Sequence, residues 1–401
     1  MTIHIKEIPA LRTHVKVNQG EVTYTTEKYN LILPHLVEEF RNKDNETYVG
    51  VSCFPPFPFN EEIEEVVCNY IKENIVDAET KIFFDNVYEG HTVSCIHGIY
   101  QIIKKLNLDP SRCYFISGGM QAKSLYREYC ISKNVEEKLN IIVLNSWERH
   151  INRTMDRDGL TDKFQYTVEN KEKLLLCFNR VLRPHRVALL ALLYDKNLVE
   201  NSYYSFFNYL THSEKISCLD FIFNNRGFFS DNVFNTIVRN LKNNEKNFPL
   251  ILNNGTGTNT NSIYESDAEF YKNSYFSLVT ETYFFGKFNN ERWEEKSVFF
   301  SEKIFKPIAC KHPFILASNV NSLRYLRDLG YQTFHPFIDE SYDSIQDDES
   351  RLLAIVSEIE RLSKQTPEQW IEWMTNVKPI VEHNQTVLLN KSRAEYQYIE
   401  R

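Results

Sequence analysis

FFSEKIFKPIACKHPFILAS, residues 299–318, is the stretch on which the reading of the fold turns. It reads as a strand end, a tight turn at Ser301, a short amphipathic helix, and an apolar strand starting at Pro313. Ser301 is placed as an N-cap, because its hydroxyl can accept from the orphan N–H groups of the first helical turn. Glu302 and Lys303 follow at the mouth of that helix, behind the apolar run from Val298 to Phe300. A helix N-terminus gathers N–H donors and positive dipole, so it suits an anion. A lysine there adds a point charge for phosphate, and a glutamate can accept from sugar hydroxyls. Pro307 falls inside the helix, where it must remove a backbone bond or kink the turn. The stretch is thus a candidate grip for a nucleotide sugar.

Working outward, apolar runs and helical periods alternate. Thr47–Phe54 reads as a strand broken by Pro55, Pro56 and Pro58, and Glu61–Asn74 carries apolar residues at helical spacing. Lys81–Asp85, Cys113–Ile116 and Ile141–Leu144 read as strands, separated by helices over Thr92–Leu106 and Gln121–Ile131. A polar stretch from Asn152 to Lys171 has no apolar period and reads as a linker. A second series starts at Lys173–Phe178, with a helix to Leu193, and includes the strand Tyr275–Thr280. Asn224–Asn261 reads as a long surface excursion with one strand-like piece at Phe248–Leu252, and Phe285–Ser297 as a charged insertion. Short helices at Ser322–Leu329 and Glu349–Leu362 and one or two closing helices from Pro367 complete the chain. Strands alternating with helices imply parallel sheets covered by helices. The expected fold class is α/β, with two Rossmann-like domains facing a central cleft and closing C-terminal helices. The boundaries fall at 1–165 for a first domain, 166–365 for a second, and 366–401 for the closing helices.

A chain of 401 residues is too long for one ordinary core, which agrees with two domains. The net charge of −8 disfavours a broad, non-specific grip on nucleic acid. Eight cysteines are scattered with no CxxC spacing, so they read as reduced, buried thiols of a cytoplasmic protein rather than a disulfide frame or zinc site. The first residues lack the apolar run of a signal peptide, and no run of about eighteen apolar residues offers a membrane span.

Three polar clusters follow strand ends, where ligands bind in open α/β sheets. The first is NRVLRPHR, 179–186, with Arg180, Arg183 and Arg186 where a strand hands over to a helix. Guanidinium groups suit a diphosphate because they are permanently charged and can bind two oxygens at once. The second is Thr280–Thr282, containing Glu281, together with Ser301, Glu302 and Lys303. The third is FFDNVYEGH, 83–91, which offers Asp85, Glu89 and His91 as bases for removing an acceptor hydroxyl proton. Gly118–Gly119 and the loop NSWERH, 145–150, also follow strands, and Glu148 and His150 are further base candidates. No convergent set of metal ligands is present in the sequence.

SEKIFKPIACKHPFILAS resembles the donor-site helix of GT-B glycosyltransferases, in which an acidic residue opens a helix that leads through a small-residue turn to proline and an apolar strand. The SEK triplet, the Thr-Glu strand end upstream and the arginine-bearing turn about 120 residues earlier resemble the C-terminal half of the α-1,3-fucosyltransferases. The resemblance covers roughly residues 173–362 as a pattern, and Lys311–His312 stand where many GT-B proteins have glycine. It implies that residues 1–165 take the acceptor and 166–365 the nucleotide sugar, with the closing helices packing back on the first domain. It also implies that Glu302 holds the ribose, and that Lys303 and one of Arg180, Arg183 or Arg186 hold the diphosphate.

The expected activity is metal-independent transfer of a sugar from a GDP- or UDP-sugar to a hydroxyl acceptor, a glycan in preference to a modified DNA base. The nucleotide sugar would be a substrate, with no separate cofactor. Two other readings stand beside it: a non-sugar nucleotide-dependent enzyme on the same fold, and a catalytically silent module that binds a glycan or a protein.

Overall fold

The computed structural model describes residues 11–18, 21–28, 48–52, 61–75, 78–90, 92–209, 216–252, 263, 267–285, 297–391 and 397–398. It is an α/β protein whose chain divides into two compact units. One comprises residues 1–145, 287–297 and 397–401, and the other 146–286 and 298–396.

In the first unit, β1 (Leu11–Asn18) and β2 (Glu21–Lys28) pair antiparallel as a hairpin. The main sheet contains β3 (Tyr48–Ser52), β4 (Lys81–Asn86), β5 (Cys113–Ser117) and β6 (Asn140–Leu144), parallel and adjacent in that order. The short C-terminal strand Gln397–Tyr398 pairs antiparallel with β6. Helices α1 (Glu61–Asn74), α2 (Val93–Leu106) and α3 (Ala122–Lys133) connect the strands. Successive strand residues point to opposite faces. Ile82 and Phe84 of β4 and Phe115 of β5 therefore pack in one core with Ile71, Ile96, Ile99 and Tyr126 of the helices, while Phe83 and Ile116 join a separate cluster.

The second unit opens with α4 (Ser146–Arg157). Its strands are β7 (Lys173–Val181), β8 (Tyr203–Tyr209), β9 (Ser274–Thr280) and β10 (Phe314–Ala317). Among the described residues they form a parallel sheet in the order β10-β9-β7-β8. The helices are α5 (Pro184–Asp195), α6 (Cys218–Asn224), α7 (Asp231–Asn244), α8 (Ala268–Lys272), α9 (Glu302–Ala309), α10 (Ser322–Asp328), α11 (Asp348–Leu362) and α12 (Pro367–Asn390). α5 is buried from Pro184 to Leu193, as a helix apolar on all sides must be, and packs against α6, α7 and α11. α9 packs against α4, α12 and β9. From β7 the chain steps through α5 to β8 on one side, then returns to β9 on the other side. That reversal makes a topological switch point at the carboxyl ends of β7 and β9, where open α/β sheets leave room for a ligand.

Several elements differ from the sequence reading. Residues 146–157 are helical although the stretch from Asn152 had read as linker, because Ile151, Thr154 and Met155 are buried along one face. The Asn-rich excursion contains α7, capped by Ser230 and anchored by Val233, Phe234, Ile237 and Leu241. Among the described residues, Phe248–Leu252 makes a single bridge, from Leu250 to Phe206. Of the charged insertion, residues 286–296 lie outside the described residues. The N-terminal segment of the first unit ends at Asn145, ahead of the expected boundary at 165, and α12 belongs with the second unit.

Candidate functional site

β7 and β9 end side by side, and their carboxyl ends are tied by a hydrogen bond from Thr280 Oγ1 to Asn179 Oδ1. Beyond β7 the chain passes Leu182 and Arg183 and enters α5 at Pro184, whose fixed φ and missing N–H suit a first helical position. Beyond β9 comes Glu281, which is fully buried. Its carboxylate accepts from the Ser301 N–H (3.1 Å to Oε1) and from the Ser301 hydroxyl (2.6 Å to Oε2). A strand end thus fixes the entry to α9.

Ser301 caps α9 as expected, its Oγ accepting from the Lys303 N–H at 3.3 Å. The Lys303 ammonium donates to Ser301 Oγ (3.1 Å) and to Glu302 Oε1 (2.9 Å). Glu302 is 4% exposed. Burial works against its charge, but Lys303 and Lys306 outweigh burial and hold the carboxyl below its ordinary value. Burial pushes Glu281 the other way, above its ordinary value, against the pull of Lys303 and Ser301. The two carboxyls therefore differ: one is held charged at the helix mouth, while the other is buried behind it.

The three arginines separate into different roles. Arg186 is 3% exposed, and its guanidinium donates to the carbonyls of Val181 (2.8 Å), Thr280 (3.1 Å) and Glu281 (3.1 Å). It braces the two strand ends, and burial, with Arg183 nearby, brings its pKa down to about 10. Arg183 is half-buried at the entry to α5 and donates to its neighbour's carbonyl, that of Leu182. Arg180 is half-buried within β7, where the pairing with β8 shifts register between Asn179 and Val181.

Two histidines also belong to this region, one inside the NRVLRPHR cluster. His185 stacks on Phe284 at 5.2 Å, and its Nε2 meets the Glu281 carbonyl at 3.0 Å. Burial drives its pKa well below the ordinary value, so it is a neutral ring. His150, read as a base beside the first unit's strands, lies instead on α4, which packs against α9. Its Nε2 is buried without a hydrogen-bond partner, and burial lowers its pKa against the attraction of Glu302. Both are side chains of helices whose contacts here depend on packing between distant segments.

In the first unit, Asp85 and Glu89 follow the core of β4. The Asp85 carboxyl accepts from the Val87 N–H at 3.0 Å, and burial raises its pKa to about 6. The Glu89 N–H donates to the Asn86 carbonyl, closing a turn. His91 lies outside the described residues. Beside them, Thr92, Ser117, Gly119 and Ser297 are packed together. A Cβ on Gly119 would stand 2.7 Å from Thr92 Oγ1 and 2.3 Å from Ser297 Oγ, so the close approach requires glycine.

Glu148 is buried and pairs with Lys391 and Tyr331 within the second unit. Among the described residues, the seven cysteines are free and buried, no group of three His, Cys, Asp or Glu side chains is placed to hold a metal ion, and no helix is long and apolar enough to cross a membrane.

No protein-family model matches the sequence, and no curated protein matches it. Among solved structures, the chain is similar to a UDP-forming α,α-trehalose-phosphate synthase from Burkholderia xenovorans. The match covers 97% of this chain and 90% of that one, at 9% identity and a TM-score of 0.37. A likeness at that level carries no argument about chemistry, which rests on the residues themselves.

Proposed function

We propose that the protein is a GT-B glycosyltransferase that moves a sugar from a nucleoside-diphosphate sugar to a hydroxyl acceptor. The observation that carries this reading is the mouth of α9 at the switch point, where Ser301, Glu302 and Lys303 stand on a buried Glu281. In it, Glu302 accepts from the ribose hydroxyls. Lys303, the N–H groups of α9 and Arg183 or Arg180 meet the diphosphate, which makes the positive charge protein-borne and the transfer metal-independent. Arg186 contributes indirectly, by holding the strand ends that aim the others. In the first unit Asp85, Glu89 or His91 takes the proton from the acceptor, and Asp85, poised at about 6, is a suitable base near neutral pH. A GDP- or UDP-sugar as donor, a glycan as acceptor, a fucosyltransferase-like donor half and a cytoplasmic setting belong to the same reading.

The direct test is release of free nucleoside diphosphate from GDP-, UDP-, ADP- and dTDP-sugars. The expected result is turnover of one of them that survives EDTA and falls by about 10²-fold or more in Lys303→Met. With Asp85 as base, the rate rises with pH through about 6, because only the carboxylate can accept a proton. Binding without any release would favour the catalytically silent reading.

A further inference from the structure

We propose that Glu281 is a positioning residue that fixes the direction of the Ser301 hydroxyl and, through it, the place of the Lys303 ammonium. The inference rests on the donor-site reading above and deepens it. Glu281 is fully buried, so it acts on a ligand only through its neighbours.

An ammonium has protons to give and nothing with which to accept. Lys303 Nζ at 3.1 Å and the Lys303 N–H at 3.3 Å therefore both require the Ser301 oxygen to present lone pairs. The Ser301 proton must point away, and the Glu281 carboxylate takes it at 2.6 Å. Its other oxygen accepts the Ser301 N–H at 3.1 Å, which fixes the serine backbone at the same time. The main chain of Glu281 is held from behind by His185 and Arg186, both bonded to its carbonyl. The chain of contacts thus runs from the floor of the sheet to the ammonium: α5 holds residue 281, residue 281 orients Ser301, and Ser301 holds Lys303 across the mouth of α9. Without the acceptor at 281, the hydroxyl is free to turn its proton toward the ammonium, which then loses an anchor.

Glu281→Gln is nearly isosteric but offers an NH₂ donor in place of one acceptor oxygen, so it can no longer accept from both the Ser301 N–H and the Ser301 hydroxyl while the shape is kept. Calorimetric titration of the wild type, Glu281→Gln, Ser301→Ala and the double variant with GDP, UDP and ADP and with the matching nucleosides tests the proposal. The expected result is about a tenfold weaker diphosphate affinity in each single variant, no further loss in the double variant, and unchanged nucleoside affinity. If Glu281→Gln does not fold, Ser301→Ala alone carries the test by the same contrast. Equal losses for nucleoside and nucleoside diphosphate would mean a structural brace with no hold on Lys303 and would overturn the proposal. Unchanged diphosphate affinity in the variants would overturn it while leaving the donor-site reading intact. A wild type that binds none of these ligands would overturn both.

Discussion

His312 is where acid should be felt in the second unit. Its ring is 3% exposed, with Nδ1 2.8 Å from Ser277 Oγ and Nε2 3.0 Å from the Ser274 carbonyl. Burial lowers its pKa from 6.5 to about 4; the Ser274 carbonyl opposes the shift and Lys171 adds to it. Between those values the unfolded chain binds a proton that the folded chain refuses. The stability is therefore fully present above pH 6.5 and is lost as the pH falls through about 4, a change on the order of 3 kcal/mol. Denaturant melts of the wild type and His312→Gln across that range check this: the variant should lose less stability than the wild type on acidification. Nothing beside His312 in the sequence announces its burial, since its partners come from a strand nearly forty residues earlier. Arg186 makes the same point at the site. Its residue type read as a phosphate ligand, whereas the carbonyls that engage it belong to segments that folding brings together.

At the scale of the element, α9 was legible because its signals are local: an apolar strand, a capping serine, acid and lysine in the first turn, then proline. Pro307 is accommodated in a helix only eight residues long. The departure at Lys311, where glycine is common, is resolved by the backbone. Lys311 adopts φ 52°, with its N–H on the Ile308 carbonyl and the next N–H, of His312, on the Pro307 carbonyl, the paired bonds of a Schellman ending. A side chain in that left-handed conformation costs about 1 kcal/mol, so Lys311→Gly should raise stability by roughly that amount. A melting temperature lowered by Lys311→Gly would contradict the assignment. α4 and α7 were less legible for a different reason. Both are mostly polar, and asparagine in α7 favours loops by composition, so the narrow apolar stripe of Val233, Phe234, Ile237 and Leu241 was outweighed.

At the scale of the whole molecule, the alternation of strands and helices fixed the α/β class, but the division of the chain depends on contacts no local pattern carries. α4 joins the second unit because it packs against α9 and α12. A buried cluster reinforces that packing: Glu148, fully buried on α4, pairs with Lys391, whose ammonium lies 4.9 Å from the centre of the Tyr331 ring. Removing one partner leaves a buried charge uncompensated, so Glu148→Ala should cost about 3–5 kcal/mol, and replacing Glu148 and Lys391 together by apolar residues should restore much of it. Chemical denaturation of the single and double variants measures both. The strand order β10-β9-β7-β8 likewise could not be read from the chain, yet it is what sets Glu281, Ser301 and Lys303 at a switch point. The measurement that bears most directly on that site is a thermal-shift screen with GDP-, UDP-, ADP- and dTDP-sugars and their free diphosphates. One nucleotide should raise the melting temperature, and Glu302→Ala should abolish the shift; no shift with any of them would rule out a donor site at the mouth of α9.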